Sequence, residues 1–155
     1  LTEVLGKNEI ERVIVVGCGR IGSALLNFRE FSREGIRVVA GFDSSEDRLD
    51  TSAPIPVLPM GDLPGFVQEK KIEVAVLAVP DQVATSVFEL MVDAGIRGVL
   101  NFTSVELKCG AACEEDGCTQ ECTVHNVNIG LEIENLFYLI RLKRESTESH
   151  AVDEP

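Results

Sequence analysis

The feature that most constrains this chain is a run of branched aliphatic residues, Val13–Val16, that ends at three glycines, Gly17, Gly19 and Gly22. An apolar helical pattern resumes directly after them, which predicts a strand, a tight turn and a helix. In this spacing the first glycine allows the turn, the second lets a pyrophosphate approach the backbone, and the third lets the helix pack close to the strand. The segment therefore predicts a phosphate-binding loop at a helix amino terminus.

A second predicted strand, Ile36–Phe42, ends on Asp43, where an acidic residue is expected to hold the ribose hydroxyls of a dinucleotide. Asp43 would repel a 2′-phosphate, and Ser44 and Ser45 carry no positive charge to neutralise one. This favours NAD(H) over NADP(H). Arg48 lies close enough in sequence to keep the second cofactor open.

Strands and helices alternate along the rest of the chain. Predicted strands span residues 56–58, 73–79, 98–102 and 123–126. One predicted helix spans 63–71, and a second carries the apolar residues Val83, Val87, Leu90, Met91 and Ala94. We expect Asp81 to cap the second of these helices. The alternation is typical of a doubly wound parallel α/β sheet, the Rossmann fold, whose ligands bind at the carboxyl ends of the strands. The predicted domain is 12–143, after a lead-in at 1–11 and before a disordered acidic tail at 144–155.

Composition limits the classes of function. The chain has 155 residues, of which 45% are hydrophobic, as expected of one globular domain. Its 26 acidic residues outnumber 14 basic ones, for a net charge of −12, which argues against nucleic-acid binding by this chain alone. No apolar run approaches the roughly 18 residues of a membrane span, and no signal-peptide pattern opens the chain. We therefore expect a cytoplasmic protein with no membrane partner.

Five stretches of the chain are typical of one known family: Gly17–Leu25, Phe42–Asp43, Ala78–Pro80, Asp93–Phe102 and Asn126–Asn128. Together they resemble the nucleotide-binding domain of Rex, the bacterial redox-sensing transcriptional repressors, over nearly the whole chain. The resemblance implies a non-catalytic homodimer that reads the NADH/NAD⁺ ratio. It also implies that NAD(H) binds in the Rossmann domain and that an amino-terminal winged helix binds operator DNA.

The predicted dinucleotide site has two parts. The phosphate and ribose part comprises Gly17, Cys18, Gly19, Arg20, Ile21, Gly22 and Asp43. The nicotinamide end, which the resemblance implies, comprises Val79, Pro80, Asn101 and Phe102. Cys18 is expected to be a small residue that fits a tight turn, rather than a thiolate favoured by the helix dipole. Related Rossmann domains hold CoA, but Asp43 favours NAD(H).

Three departures from the Rex pattern bear on function. No winged helix is present, and Leu1 falls about where the family's linker would be. Phe28 replaces a frequent Tyr, which removes a hydroxyl that could report cofactor state. Asn128 replaces an Asp, which removes a charge that could pair with an Arg of the DNA-binding domain. Together these changes make a repurposed NAD(H)-binding module an alternative to a trimmed repressor.

The late segment 129–143 carries too many apolar residues for one helical stripe. A helix that is apolar nearly all round must be buried on most sides. It is either a core helix of the monomer or a dimer helix. The Rex resemblance implies the second, with the helix exchanged between subunits.

Four of the five cysteines, Cys109, Cys113, Cys118 and Cys122, form an insertion before the last strand. Four thiolates suit structural Zn²⁺ or an iron–sulfur cluster, and the three-residue gaps tilt the prediction slightly towards iron–sulfur. The acidic residues between them would raise the thiol pKa values unless a cation is present. A thiol–disulfide switch and four reduced thiols without a role are the alternatives.

Three functional hypotheses follow. The first is a Rex-like sensor. The second is an NAD-dependent oxidoreductase fragment, although no His or Lys for proton transfer stands at the strand ends. The third is an electron-transfer or regulatory subunit that uses the cysteine loop with a redox protein partner.

Overall fold

The computed structural model describes residues 10–28, 30–108, 122–127 and 129–153. Within them one parallel sheet has the strand order β3-β2-β1-β4-β5-β6. This is the order of a Rossmann fold, so the predicted fold class is confirmed. The strands are β1 (Glu11–Val16), β2 (Ile36–Asp43), β3 (Val57–Pro59), β4 (Val74–Leu77), β5 (Gly98–Asn101) and β6 (Thr123–Asn126).

Helices connect the strands and flank the sheet. They are α1 (Arg20–Leu26), α2 (Glu30–Arg33), α3 (Leu63–Lys70), α4 (Asp81–Ala94) and α5 (Ile129–Asp153). Two 3₁₀ turns, Glu46–Arg48 and Met60–Asp62, follow β2 and β3. Among the described helices, none is both long and apolar enough to cross a membrane.

The sheet buries apolar side chains on both faces, because successive strand residues point in opposite directions. On one face Ile14 and Val16 pack in a cluster with Leu63, Phe88 and other residues of α3 and α4. On the opposite face Val13 and Val15 pack in a cluster with Leu25, Leu26 and Phe31 from the α1–α2 region. β1, at the centre of the sheet, is thus held from both sides, which fixes the glycine loop that follows it.

The second face is less well covered over β4 and β5. Val74, which opens β4 on this face, is 41% exposed. Leu100 and Phe102 on the same face are only partly buried. Helices α1 and α2 lie against β1 and β2 instead. Parallel sheets are ordinarily covered on both faces, so this half of the sheet lacks a helical layer among the described residues.

Two local expectations differ from the structure. The N-cap of α4 is Pro80, and Asp81 makes no capping bond; its Oδ1 accepts a hydrogen bond of 2.9 Å from the N–H of Ser104. Helix α5 continues to Asp153, where a disordered tail was expected after residue 143. Residues 144–153 contain no Gly or Pro, so nothing in them interrupts the helical hydrogen-bond ladder.

Candidate functional site

A cavity of about 470 Å³ opens at the carboxyl ends of β1, β2 and β4, where the strand order reverses. This is where open α/β sheets bind their ligands. Seven of the predicted site residues line the cavity: Gly17, Gly19, Arg20, Ile21, Asp43, Val79 and Pro80. Cys18 and Gly22 are buried beside it.

The three glycines of the loop meet different surroundings. Gly17 has φ +94°, and a Cβ on it would lie 2.5 Å from the carbonyl oxygen of Ala78. A Cβ on Gly22 would overlap the carbonyl oxygen of Gly17. A Cβ on Gly19, in contrast, would meet nothing nearer than the guanidinium of Arg48, at 3.8 Å. Packing therefore requires glycine at positions 17 and 22. At position 19 the absence of a side chain leaves space in the cavity that a ligand could occupy.

Asp43 accepts hydrogen bonds from the backbone of the glycine loop and of the segment after β2. Its Oδ2 accepts a 2.7 Å hydrogen bond from the N–H of Cys18, and its Oδ1 accepts one of 2.8 Å from the N–H of Ser45. Arg48 Nη1 lies 3.4 Å from Oδ2. Burial alone would raise the pKa of Asp43, but these two N–H donors and the Arg48 charge outweigh it and lower the pKa. The carboxylate is therefore ionised at neutral pH, yet only 5% exposed.

Cys18 points away from the cavity. Its thiol lies 3.7 Å from the carbonyl oxygen of Phe42 and fills the space beside Gly41, where a Cβ would come within 2.6 Å of the sulfur. Burial and the Asp43 charge raise the pKa of this thiol to about 11. These contacts favour the expected packing role over a reactive thiolate.

Asn101 and Phe102 do not line the cavity. Asn101 is fully buried, and its Nδ2 donates to the carbonyl oxygen of Val105 and to Oδ1 of Asn126. Its Oδ1 accepts hydrogen bonds from both the N–H and the hydroxyl of Thr103. Since each polar atom of this side chain already has protein partners, Asn101 holds the strand ends together rather than facing a ligand.

Further lining residues were not singled out from the sequence as site residues. Val83, Ser86 and Val87 line the cavity from the first turns of α4. Val83 and Val87 belong to the apolar pattern that predicted this helix, and Ser86 shares their face at the i, i+3, i+4 spacing. The buried face of α4 is instead Ala84, Phe88, Met91 and Ala94. The remaining additions are Ser44, Ser45, Arg48, Met60 and Ala78.

The predicted metal ligands Cys109, Cys113 and Cys118 lie outside the described residues. Cys122 is buried next to β6. Asn126 and Leu107, which lie on either side of this insertion, are joined by two hydrogen bonds. The Asn126 side chain accepts from the N–H of Leu107 and donates to its carbonyl oxygen. In the described part of the chain, no group of three or more His, Cys, Asp or Glu residues is placed to hold a metal ion.

The fold and the glycine loop define a nucleotide-binding Rossmann domain. The model of the CoA-binding domain family matches residues 8–105, and the chain belongs to that family. Among the curated proteins its homologues are redox-sensing transcriptional repressors named Rex, so the resemblance found in the sequence is confirmed.

The Rex of Ligilactobacillus salivarius is 34% identical over 140 residues, covering 90% of this chain and 62% of the relative. The Rex of Exiguobacterium sibiricum is 29% identical over 147 residues, covering 94% of this chain and 63% of the relative. The chain thus spans less than two thirds of the length of these relatives. They are named as transcriptional repressors, in agreement with the prediction of a non-catalytic domain.

Solved structures of RSP, a Rex-family repressor, have the same fold. The complex of RSP with β-NAD⁺ and operator DNA matches with a TM-score of 0.77 at 21% identity, covering 99% of this chain and 67% of RSP. The complex with β-NADH matches with a TM-score of 0.77 at 22% identity, covering 97% and 68%. At this identity the likeness establishes the fold alone.

Proposed function

We propose that this chain is an NAD(H)-binding, redox-sensing domain of Rex type that carries out no catalysis. The observation that carries the proposal is the contrast among the loop glycines. Gly17 and Gly22 are accounted for by packing, whereas the missing Cβ of Gly19 leaves room in the cavity itself. A pyrophosphate against the backbone at this position accounts for a glycine that packing does not require.

The site residues follow from this proposal. Gly17, Gly19 and Gly22 shape the phosphate loop, with Arg20 and Ile21 at its rim. Asp43 is assigned to the adenosine ribose. Val79 and Pro80 line the cavity next to β4 and are assigned to the nicotinamide end. Asn101 and Phe102, predicted for the same end, do not line the cavity and are left out of this assignment.

Calorimetric titration with NADH and NAD⁺ tests the proposal, since a chain without Trp offers no indole fluorescence to follow. We expect NADH and NAD⁺ to bind with different affinities, because a domain that reads their ratio must distinguish the two forms. Gly19→Ala should abolish binding while the melting temperature stays near that of the wild type. Gly65→Ala is the matched control, because a Cβ at Gly65 meets no atom within 4 Å.

Equal affinity for NADH and NAD⁺ would exclude the sensing role, and retention of binding in Gly19→Ala would exclude the loop as the phosphate site. Asp43→Ala should also weaken NADH binding markedly. Steady oxidation of NADH with a small carbonyl substrate would favour the oxidoreductase alternative instead.

We further propose that α5 forms a homodimer. Its described side chains are exposed, including large apolar residues between 43% and 61% exposed: Ile129, Ile133, Leu136, Phe137, Tyr138, Leu139, Ile140 and Leu142. The face of β4 and β5 that the described helices leave partly exposed is also apolar. A second copy of the chain, lending its α5 to this face, would cover both surfaces at once.

Recognition of operator DNA by the whole protein is likewise a proposal. With a net charge of −12, this chain is unsuited to neutralise DNA phosphates by itself. DNA contact would require a basic segment or partner in addition to these residues. The dimer would transmit the difference between bound NADH and bound NAD⁺ to that segment or partner.

The four-cysteine insertion is kept as a separate proposal, a zinc or iron–sulfur site with ligands Cys109, Cys113, Cys118 and Cys122. Its support is the spacing of the cysteines and the pair of hydrogen bonds between the Asn126 side chain and the Leu107 backbone, which join the chain on either side of the insertion. Metal analysis and an absorption spectrum of anaerobically purified protein test it. Protein free of metal, with disulfides found by mass spectrometry after exposure to air, would favour the thiol-switch alternative.

A further inference from the structure

Arg48 lies over the phosphate loop and the acid of the candidate site together. Its Nη1 is 3.4 Å from Oδ2 of Asp43. The same guanidinium is 3.8 to 4.0 Å from the point that a Cβ on Gly19 would occupy. The side chain is 52% exposed, so it borders the cavity without being enclosed by the protein.

The carboxylate of Asp43 is consequently shielded by its hydrogen-bond partners and by Arg48. Both of its oxygens already accept backbone hydrogen bonds, from Cys18 and Ser45, and Arg48 lies against Oδ2. A ribose hydroxyl reaches this carboxylate only when Arg48 gives way. A phosphate group on the ribose would meet the guanidinium first.

The charges of the residues that line the cavity also favour a phosphate group. Among the residues that the structure describes, the charged ones lining the cavity are Arg20, Arg48 and Asp43, so two positive charges face one negative charge there. The whole chain carries −12, which makes this site a local reversal of sign. The usual argument that the acid after the second strand repels a ribose phosphate is weakened here, since the acid is both buried and paired.

We propose that Arg48 forms a subsite for a phosphate monoester on the adenosine ribose, so that the cavity accepts 2′-phosphorylated or 3′-phosphorylated adenine cofactors besides NAD(H). The proposal rests on the proposed function, because it places the nucleotide in the same cavity. A guanidinium presents paired N–H donors that match phosphate oxygens. Ser44 and Ser45, whose hydroxyls are hydrogen-bond donors, line the same cavity.

Two matched ligand pairs test the subsite on the intact chain by calorimetry. NADH and NADPH differ only by a 2′-phosphate, and dephospho-CoA and CoA differ only by a 3′-phosphate. In at least one pair, we expect the phosphorylated member to bind no more than about tenfold more weakly than its partner. Raising the salt concentration should weaken the phosphorylated member more, as expected of a half-exposed ion pair.

Variants of Arg48 separate its role from that of the loop. Arg48→Gln should weaken the phosphorylated member of the responsive pair by roughly tenfold or more and its unphosphorylated partner by less than about threefold. Arg48→Lys should fall between the wild type and Arg48→Gln, because it keeps the charge but loses the paired donors. Arg33→Gln is the control, because Arg33 is exposed, lies outside the cavity and pairs with Glu30.

Each outcome bears on a different claim. A response of the NADPH pair alone identifies a 2′-phosphate subsite, and a response of the CoA pair alone identifies a 3′-phosphate subsite. If NADH binds and neither phosphorylated ligand does, or if Arg48→Gln weakens both members of each pair equally, the subsite is overturned while the dinucleotide site stands. If none of the four ligands binds, the proposed function fails with it.

Discussion

The backbone N–H of Cys18 donates a 2.7 Å hydrogen bond to Oδ2 of Asp43, joining the glycine loop to the end of the second strand. The acid that dinucleotide-binding folds place near the ribose is thus also part of the loop's own structure. Substitutions at Asp43 should therefore change stability as well as cofactor affinity.

Asp43→Asn should lower the free energy of unfolding at pH 7 by about 1–3 kcal/mol, because an amide cannot accept both backbone hydrogen bonds in the same way. Urea unfolding measures the difference. Asp47→Asn, an exposed acid on the following 3₁₀ turn, should change it little. Equal losses in the two variants would contradict the structural role of Asp43.

This stabilisation should depend on pH. The pKa of Asp43 in the folded protein is lowered from its ordinary value of 3.8, so its contribution is complete above that value and is lost as the pH falls through the folded pKa. The difference between wild type and Asp43→Asn should be constant from about pH 7 to pH 5 and shrink below about pH 4. A difference that grew in acid would reverse the sign and refute the assigned ionisation state.

Cys18 should resist alkylation in the folded protein. With a pKa of about 11, roughly one thiol in a thousand is ionised at pH 8, against about one in ten for an ordinary cysteine. Iodoacetamide labelling followed by peptide mass spectrometry should find Cys18 at least about a hundredfold slower than in the urea-unfolded chain. Rapid labelling of the native protein would restore the thiolate interpretation.

Asn101→Ala should destabilise the fold without selectively removing cofactor binding. The side chain is fully buried and links Val105, Thr103 and Asn126, so its loss leaves several buried polar groups without partners. We expect a loss of about 2–4 kcal/mol in urea unfolding. NADH affinity, measured at a temperature where the variant is folded, should change by less than about threefold. A large affinity loss in a stable variant would instead return Asn101 to the nicotinamide contacts.

Phe137→Glu should convert the proposed dimer to a monomer. Phe137 is 57% exposed in the single chain, and a charge at the same place could not be buried against a second copy. Light scattering coupled to size-exclusion chromatography measures the mass. Ser146→Glu, on the polar continuation of α5, should leave the dimer intact. A monomeric wild-type chain would remove the second copy as the partner of α5.

Much of the fold follows from local sequence patterns. The aliphatic runs of β1 and β4, the three glycines and Asp43 have short-range spacings that only a strand, turn and helix satisfy. The predicted β6 and the start of α5 agree with the structure at residue level. The end of α5 was missed because polar, acidic composition suggests disorder, whereas residues without Gly or Pro can extend a helix that has already formed.

By itself, the sequence determined the parallel α/β class, the glycine loop at Gly17–Gly22 and the acid that ends β2, because each depends on residues near one another along the chain. Only the tertiary structure decided which side chains face the cavity. It turned Cys18 inwards and enclosed Asn101 in hydrogen bonds. It also brought Arg48 over Asp43 and Gly19, and placed Val83 and Val87 on the cavity wall. Those outcomes depend on which side of an element meets a distant neighbour, and periodicity alone does not carry that information.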